Sequence, residues 1–238
     1  MKILLLGYGK MGKIIETIAT QRGHEIVGKI NEDNASELPG FKGSNTDVAI
    51  EFSQPDAAVK NISYCLNHGI PVLSGTTGWL DQKPEIERIC KEKDGTFFYA
   101  SNYSIGVNLF FRLNEYLASL MADFSEYEVD MEEIHHTEKK DAPSGTAITL
   151  AEGIIEKITR KTRWVNDKNP QQDDIQITSL REDEVPGTHT VKYSSSVDDI
   201  EIKHTAHSRE GFAKGAVVVA EWLKDQKGIL DMRDFLKI

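Results

Sequence analysis

The sequence predicts an α/β protein in which a doubly wound parallel sheet is joined to an α+β region built on an open mixed sheet. Three observations lead there. Short apolar runs alternate with helix-period segments through the first hundred or so residues. A G-x-G-x-x-G pattern separates the first run from the first helix. After Ser104 the alternation stops and strand patterns follow one another.

Lys2 to Leu6 is an apolar strand; Ile14, Ile15, Ile18 and Ala19 then recur at helical spacing as far as Arg22-Gly23-His24. Glu25 to Ile30, Val48 to Phe52, Pro71 to Ser74 and Thr96 to Ala100 read as further strands, with helices over Pro55 to His68 and Asp81 to Lys93. Such βαβ alternation implies a parallel sheet with helices on both faces and ligands beyond the carboxyl ends of its strands. Val107 to Met121 is a long helix with Leu109, Phe110, Leu113 and Leu117 on one stripe. Tyr127, Val129 and Met131 alternate with Glu128, Asp130 and Glu132 as in a half-buried strand, and Ala147, Ile148, Leu150, Ala151, Ile154 and Ile155 follow a helical period. Ile175 to Leu180, Thr188 to Ser194 and Ile200 to Ala206 are strands, whereas polar, proline-containing Lys161 to Asp174 reads as a mobile or inserted loop. From Gly211 or Gly215 a helix through Ala216, Val217, Val219, Ala220 and Leu223 either closes the second domain or returns to the first.

At 238 residues, 39% hydrophobic and 28% charged, the chain has an ordinary globular composition and length for one large domain or two small ones. Its formal charge of -10 repels nucleic acid and anionic membranes at long range, so neither is expected as a partner. Cys65 and Cys90 lie in helical patterns without metal-ligand spacing, and two cysteines fit a reducing cytoplasm. The run Ile3-Leu4-Leu5-Leu6 is too short for a secretory signal, and no window approaches membrane-spanning length.

The strand ends carry the first set of candidate residues. Gly7-Tyr8-Gly9-Lys10-Met11-Gly12 follows a strand and opens a helix. The first glycine permits the tight turn, the second admits a pyrophosphate, and the third allows close helix packing, so a dinucleotide is expected in a Rossmann-like domain. The usual acid on the adenosine ribose is missing, since the second strand ends Lys29-Ile30-Asn31-Glu32. Asn31 can bond a ribose hydroxyl without repelling a 2'-phosphate, and Lys29 and Lys10 can attract one, so NADH and NADPH both fit. Gly75-Thr76-Thr77-Gly78 and Ala100-Ser101-Asn102-Tyr103-Ser104 follow the next two strands and line the same cleft.

The second set lies in Glu133 to Ala147, a strand-to-helix connection reading EIHHTEKKDAPSGTA. Ser144-Gly145-Thr146 opens a helix, where backbone N–H groups without partners and the helix dipole receive a carboxylate or phosphate. Pro143 suits a helix entry, and Asp141 or Ser144 can cap it. His135 and Lys139 add two groups able to carry a proton, with neighbouring cations and partial burial expected to bring the lysine toward the working range. The segment reads as an active site for an anionic substrate.

These residues together closely resemble the dihydrodipicolinate reductase family of bacterial lysine and diaminopimelate biosynthesis, along nearly the whole chain. The marks are residues 7 to 12, Glu51-Phe52-Ser53-Gln54-Pro55, Gly75 to Gly78, Asn102 to Val107, His135 to Ala147 and His204-Thr205-Ala206-His207-Ser208-Arg209. The resemblance implies NAD(P)H-dependent reduction of the dihydrodipicolinate precursor, a small dicarboxylate. It implies His135 as catalytic proton donor or acceptor, Lys139 as second donor, and His136, Ser144, Gly145 and Thr146 as substrate contacts. Residues 7 to 12, Gly75, Thr76, Thr77, Ala100, Ser101, Asn102 and Tyr103 become cofactor contacts. It further implies a nucleotide domain of residues 1–104 and 210–238, a substrate and oligomerisation domain of 105–209, and a homotetramer. The chain departs from the family pattern at Glu51, where aspartate is common, at Asn31, and at Ser179-Leu180-Arg181-Glu182-Asp183, which lacks paired glycines.

Two other functions fit parts of the pattern. Another nicotinamide-dependent dehydrogenase of an amino-acid precursor would keep the glycine turn, and a nucleotide-sensing protein would need neither His135 nor Lys139. A metal site from His204 and His207 with His135, His136 and His189 is disfavoured, because strand residues three apart do not converge as ligands.

Overall fold

The computed structural model describes residues 1–167, 169–208 and 210–237, so Lys168 and Arg209, the last residue of the His204 motif, lie outside the described residues. The chain divides into two compact units, Met1–Ile105 with Glu210–Ile238, and Gly106–Arg209.

In the first unit, β1 (Lys2–Leu6), β2 (Glu25–Ile30), β3 (Val48–Glu51), β4 (Val72–Ser74) and β5 (Thr96–Tyr99) are joined through α1 (Lys10–Gln21), α2 (Pro55–Asn67) and α3 (Lys83–Glu92). The sheet is parallel throughout. Its strand β1 lies between β2 and β3, which places the topological switch at the end of the first strand. Burial on both faces explains the unbroken apolar run of β1: Ile3 and Leu5 join one core with α1, Leu4 and Leu6 the other with α2 and α3. Each fully buried Ile or Leu contributes about 1.5–3 kcal/mol.

The second unit holds α4 (Ile105–Met121, from its second residue on), β6 (Glu128–His135), α5 (Gly145–Ile155), β7 (Arg163–Val165), β8 (Asp174–Arg181), β9 (Thr188–Ser194) and β10 (Asp199–Thr205). Its five strands run in the order β10-β9-β6-β8-β7. The sheet is mixed: β9 is antiparallel to β6 and β10, while β8 is parallel to β6 and β7. Phe110, Ala118 and Met121 of α4 and Ala147, Leu150, Ala151 and Ile154 of α5 pack on Val129, Met131, Ile175, Ile177, Val191 and Tyr193 of the sheet.

The chain then returns to the first unit through α6 (Glu210–Leu223), settling the alternative left open by the sequence; Ala213, Ala216, Val217, Val219, Ala220 and Leu223 are buried in its first core. Gly215 is required there, because a Cβ would stand 1.7 Å from the Tyr103 carbonyl oxygen. Then come β11 (Gly228–Leu230), which pairs with β5, and α7 (Met232–Leu236).

The predicted helices and strands recur with ends mostly shifted by up to two residues, β6 running three residues further to His135, but two expectations fail. Residues 161–174 are not simply a loop: β7 forms there, with Trp164 against the core and Arg163 Nε 2.6 Å from Asp174 Oδ1. The expected stripe of α4 is also rotated. Phe110, Asn114, Ala118 and Met121 face inward, whereas Leu109 and Leu113 stand in solvent with Tyr116 and Leu120. Two apolar stripes compete on this helix, and its i, i+4 spacing does not say which one meets the sheet.

Candidate active site

The first three residues of the predicted connection belong to the strand itself, since β6 runs on to His135. The inward period of β6 runs through Val129 and Met131 into Glu133 and His135, both buried. Register then surrounds them. Glu133 lies opposite His189 on β9, and His135 opposite Arg181 on β8. Glu133 is wholly buried. Its Oε1 accepts from the Ser144 N–H at 3.0 Å and lies 3.4 Å from the Arg181 guanidinium; its Oε2 faces His135 Nδ1 at 3.2 Å and His189 Nε2 at 3.8 Å. Burial opposes ionisation of this carboxyl, but the polar groups of His135, Ser144 and Ser179 close to it outweigh burial and hold Glu133 far below the usual carboxylate range. Burial, aided by His135, pulls the His189 imidazole down to about 4, so it is neutral at pH 7.

Ser144, rather than Asp141, caps α5: its Oγ accepts from the Ala147 N–H at 3.3 Å and meets His189 Nε2 at 3.1 Å. With the Ser144 N–H taken by Glu133, the next two amides, those of Gly145 and Thr146, have no acceptor among the described residues. Gly145 is exposed, and a Cβ there would meet nothing within 4 Å. These are the helix-start amides without partners that the sequence predicts, a geometry able to receive an anion. The preceding Ala142–Pro143 peptide is cis.

Lys139 departs from expectation. Its ammonium meets the Asp141 carboxylate at 2.8 and 2.7 Å, an anion where cations were expected to crowd it, and the same bond holds Asp141 below its ordinary range. Arg181 ties this loop down by donating to the carbonyls of Lys139 at 3.3 Å and Asp141 at 2.6 Å. The loop that departs from the family pattern thus has a definite role. His136, half-buried, lies beside an open depression of about 570 Å³ also lined by Thr137, Glu138, Asp183, Glu184 and Pro186. Its acidic lining suits no dianion.

Sequence reasoning passed over Glu133 and Arg181, although the alternation starting at Val129 reaches Glu133 if a charge is allowed to point inward. Among the described residues, the buried group of ligand-type atoms is Glu133, His135 and His189, within 4.8 Å of one another. It is not the histidine set weighed from sequence: His204 stacks near Phe110 and His207 is exposed. With Oε1 bonded to Ser144 and His189 bonded through Nε2, the geometry is that of a hydrogen-bonded network.

In the first unit the three glycines of the motif differ as the motif requires. Gly7 has φ +93°, and a Cβ would lie 2.1 Å from the Phe52 carbonyl oxygen. Gly12 would strike the Gly7 carbonyl at 2.5 Å, while a Cβ on Gly9 would meet nothing. Gly9 precedes α1, so the open space lies at a helix N-terminus, between Tyr8 and the exposed Lys10 and beside half-buried Met11. These residues fit a dinucleotide pyrophosphate.

Other residues are less free than expected. Asn31 Oδ1 accepts from its own turn, the N–H groups of Asp33 at 2.9 Å and Asn34 at 3.3 Å. Lys29 pairs with Glu16 at 2.6 Å and lies over the Tyr8 ring, whose hydroxyl also donates to Glu16. Thr76 turns its hydroxyl inward to buried Glu51 at 2.9 Å, leaving the side chain of Thr77 exposed beside Gly75. Tyr103 is buried, donating to the Ser74 carbonyl at 2.8 Å, and Ala100 is buried too; only Ser101 and, in part, Asn102 present side chains outward.

Comparison with known proteins covers nearly the whole chain. Residues 1–103 match the family model "Dihydrodipicolinate reductase, N-terminus" and residues 106–236 the model "Dihydrodipicolinate reductase, C-terminus". A relative from Christiangramia forsetii, 4-hydroxy-tetrahydrodipicolinate reductase, is 54% identical over 237 residues, covering 99% of this chain and 98% of that protein. Among solved structures, a dipicolinate-bound dihydrodipicolinate reductase from Paenisporosarcina sp. TG-14 shares the fold at TM-score 0.77 and 22% identity, covering 99% of each chain. An oxidoreductase from Sinorhizobium meliloti matches at TM-score 0.52 and 11% identity, over 94% of this chain and 87% of that one.

Proposed function

The chain belongs to the dihydrodipicolinate reductase family, and from that membership we propose that it reduces 4-hydroxy-tetrahydrodipicolinate to tetrahydrodipicolinate with NADH or NADPH, releasing water. The observation that carries this reading is the juxtaposition, within the second unit, of the open Gly145 and Thr146 amides with buried His135 and the Lys139 ammonium. Two carboxylates on the substrate account for an anion-receiving turn on an acidic protein.

A bound nicotinamide supplies the hydride. The remaining work falls to this chain. Gly145 and Thr146 hold a carboxylate at the helix N-terminus, with Ser144 fixing the turn and His136 at its edge. His135 donates the proton that completes reduction of the ring. Lys139 is the second donor; to reach the substrate it exchanges the Asp141 carboxylate for one of the substrate's. The nucleotide lies along Gly7 to Gly12, with Asn31 at the adenosine end and Gly75, Thr76, Thr77 and the segment Ala100 to Tyr103 toward the nicotinamide. Because Ala100, Thr76 and Tyr103 are buried, their contacts are made through backbone.

We place the enzyme in the cytoplasm as a homotetramer. No helix among the described residues is long and apolar enough to cross a membrane, and both cysteines are free and buried. Exposed Leu109, Leu113, Tyr116 and Leu120 on one face of α4 support burial in an assembly, which light scattering tests.

The deciding experiment is a coupled assay in which the substrate is generated enzymatically and each nicotinamide is supplied in turn. Oxidation of NADH or NADPH that depends on the substrate is expected; its absence with both cofactors would sink the reading.

A further inference from the structure

Glu133 Oε2 and His135 Nδ1 are both buried and have no hydrogen-bond partner among the described residues, yet they stand 3.2 Å apart. Leaving two such groups unpaired is costly, and a small rotation of the imidazole brings its N–H into line with the oxygen. The other carboxylate oxygen is fixed by the Ser144 N–H and by Arg181, so the carboxylate cannot turn away. The other ring nitrogen of His135 differs. Nε2 has no partner among the described residues but is not among the buried unpaired atoms, and it is therefore the nitrogen that reaches the surface. Gly187 borders it, where a Cβ would stand 3.0 Å from Nε2, so the absence of a side chain keeps that edge uncovered.

From this geometry we propose that Glu133 is a positioning residue for the reduction, holding His135 with its Nδ1–H toward Oε2 so that Nε2 alone delivers the proton to the substrate. This rests on the reading of His135 as the proton donor. The balance is simple. The Nε2–H bond of the imidazolium breaks as the substrate takes its proton, and the neutral ring remains with its hydrogen on Nδ1, bonded to Glu133. Solvent then restores the lost proton. Glu133 thus favours the one neutral tautomer that can follow the transfer.

Other charged or titratable groups around His135 come from each neighbouring element. His189 of β9 packs edge-on with ring centroids 5.0 Å apart, Arg181 of β8 pairs with Glu133, and the loop contributes Lys139 and Asp141. His204 of β10 acts from beyond His189. Among the described residues, Glu133 is the anion at contact distance from the ring.

Glu133→Gln is the test, because an amide oxygen still accepts from Ser144 while the amide nitrogen presents hydrogens to Nδ1. We expect turnover to fall at least about tenfold, nicotinamide affinity to change less than about twofold, and the neutral His135 ring of the variant to carry its hydrogen on Nε2 instead of Nδ1. Glu133→Asp, which keeps the acceptor, restores turnover and the Nδ1 tautomer at least in part. A carboxylate that merely braces Ser144 and Arg181 would leave the tautomer of Glu133→Gln unchanged, and that result overturns the proposal. Imidazole nitrogen NMR of the wild-type protein decides even if the variant does not fold: the neutral His135 ring must carry its hydrogen on Nδ1, and a hydrogen on Nε2 overturns the proposal. Failure of the wild-type enzyme to turn over the substrate would instead reject the reductase reading, leaving the tautomer measurement to judge the pair.

Discussion

Each unit buries one glutamate completely, near the carboxyl end of a strand, and the two carboxylates live among different neighbours. Among the described residues, Glu51 of β3 accepts only from neutral donors: the Ser53 N–H and hydroxyl, Ser74 Oγ at 2.6 Å and Thr76 Oγ1 at 2.9 Å. Glu133 of β6 has one such donor, Ser144, but otherwise faces Arg181 and two imidazoles. Donors that cannot lose their protons make a fixed joint, here tying β3, β4 and the Gly75 turn together beneath the proposed nucleotide path. Donors that titrate make a group whose protonation answers to its neighbours. Burial alone therefore does not mark a catalytic carboxylate; the chemistry of the groups it binds does.

The largest effect should come from breaking the joint. Glu51→Leu takes the carboxylate acceptor from four donors, one backbone N–H and three hydroxyls, in a dry site, and we expect a loss of about 4 kcal/mol in folding stability of the first unit. Chemical denaturation followed by Trp79 and Trp222 fluorescence measures it. If stability were unchanged, the claim that Glu51 is a structural joint would have to be dropped.

Acid should expose the other character. Between pH 6.5 and about 4 an unfolded chain binds a proton at His189 that the folded unit refuses, so stability falls as pH drops through that window, by on the order of 3 kcal/mol in all. Glu133 acts in the same direction lower down: its folded-state pKa is depressed, so its contribution is complete above the ordinary carboxylate range and fades as pH falls further. Hydrogen exchange of β6 and β9 amides at pH 7 and pH 4.5 reads this directly. His189→Gln should flatten the upper part of the slope, and an equal slope in the variant would refute the assignment.

Turnover gives the next contrast. His135→Gln and Lys139→Ala are each expected to lower kcat by about a hundredfold, roughly 2.7 kcal/mol, with nicotinamide affinity near wild type. Normal turnover in either variant removes that residue from the proton-transfer role. The Lys139 result also bears on Asp141, which holds the ammonium and must release it.

How much of this was legible in the sequence depended on whether backbone or side-chain partners carried the information. Gly7, Gly9 and Gly12 announce their roles because a turn, an open approach and a close packing each demand a missing Cβ. The turn at Ser144 to Thr146 was equally readable, since helix ends have fixed unmet donors. Glu133 was not read as buried, because a charged residue in a strand is ordinarily taken to face water, and its partners Arg181 and His189 come from strands 48 and 56 residues downstream that only register brings together. The same holds for Lys139: its segment is rich in lysine, but the nearest side chain is Asp141. The solvent-facing Leu109 and Leu113 fail for another reason, as two stripes of similar apolarity leave the sheet to choose between them.

Cofactor choice carries the smallest expected effect. In the first unit, the side chains nearest the end of β2 are already engaged with one another. Asn31 spends its oxygen on its own turn, so it neither repels a 2'-phosphate nor grips a ribose as a free carboxylate would. Lys29, the cation that would draw the phosphate, is held by Glu16, whose carboxyl is in turn kept below its ordinary range by that lysine and by Tyr8. Attraction and repulsion are both muted, and NADH and NADPH should bind within about tenfold of one another, under about 1.4 kcal/mol. Glu16→Gln sharpens the point: freeing Lys29 should improve NADPH binding by about threefold while leaving NADH unchanged, as fluorescence titration of both cofactors will show. An unchanged ratio would mean that Lys29 does not reach the phosphate, and that the balance between the two cofactors is set elsewhere on the strand ends.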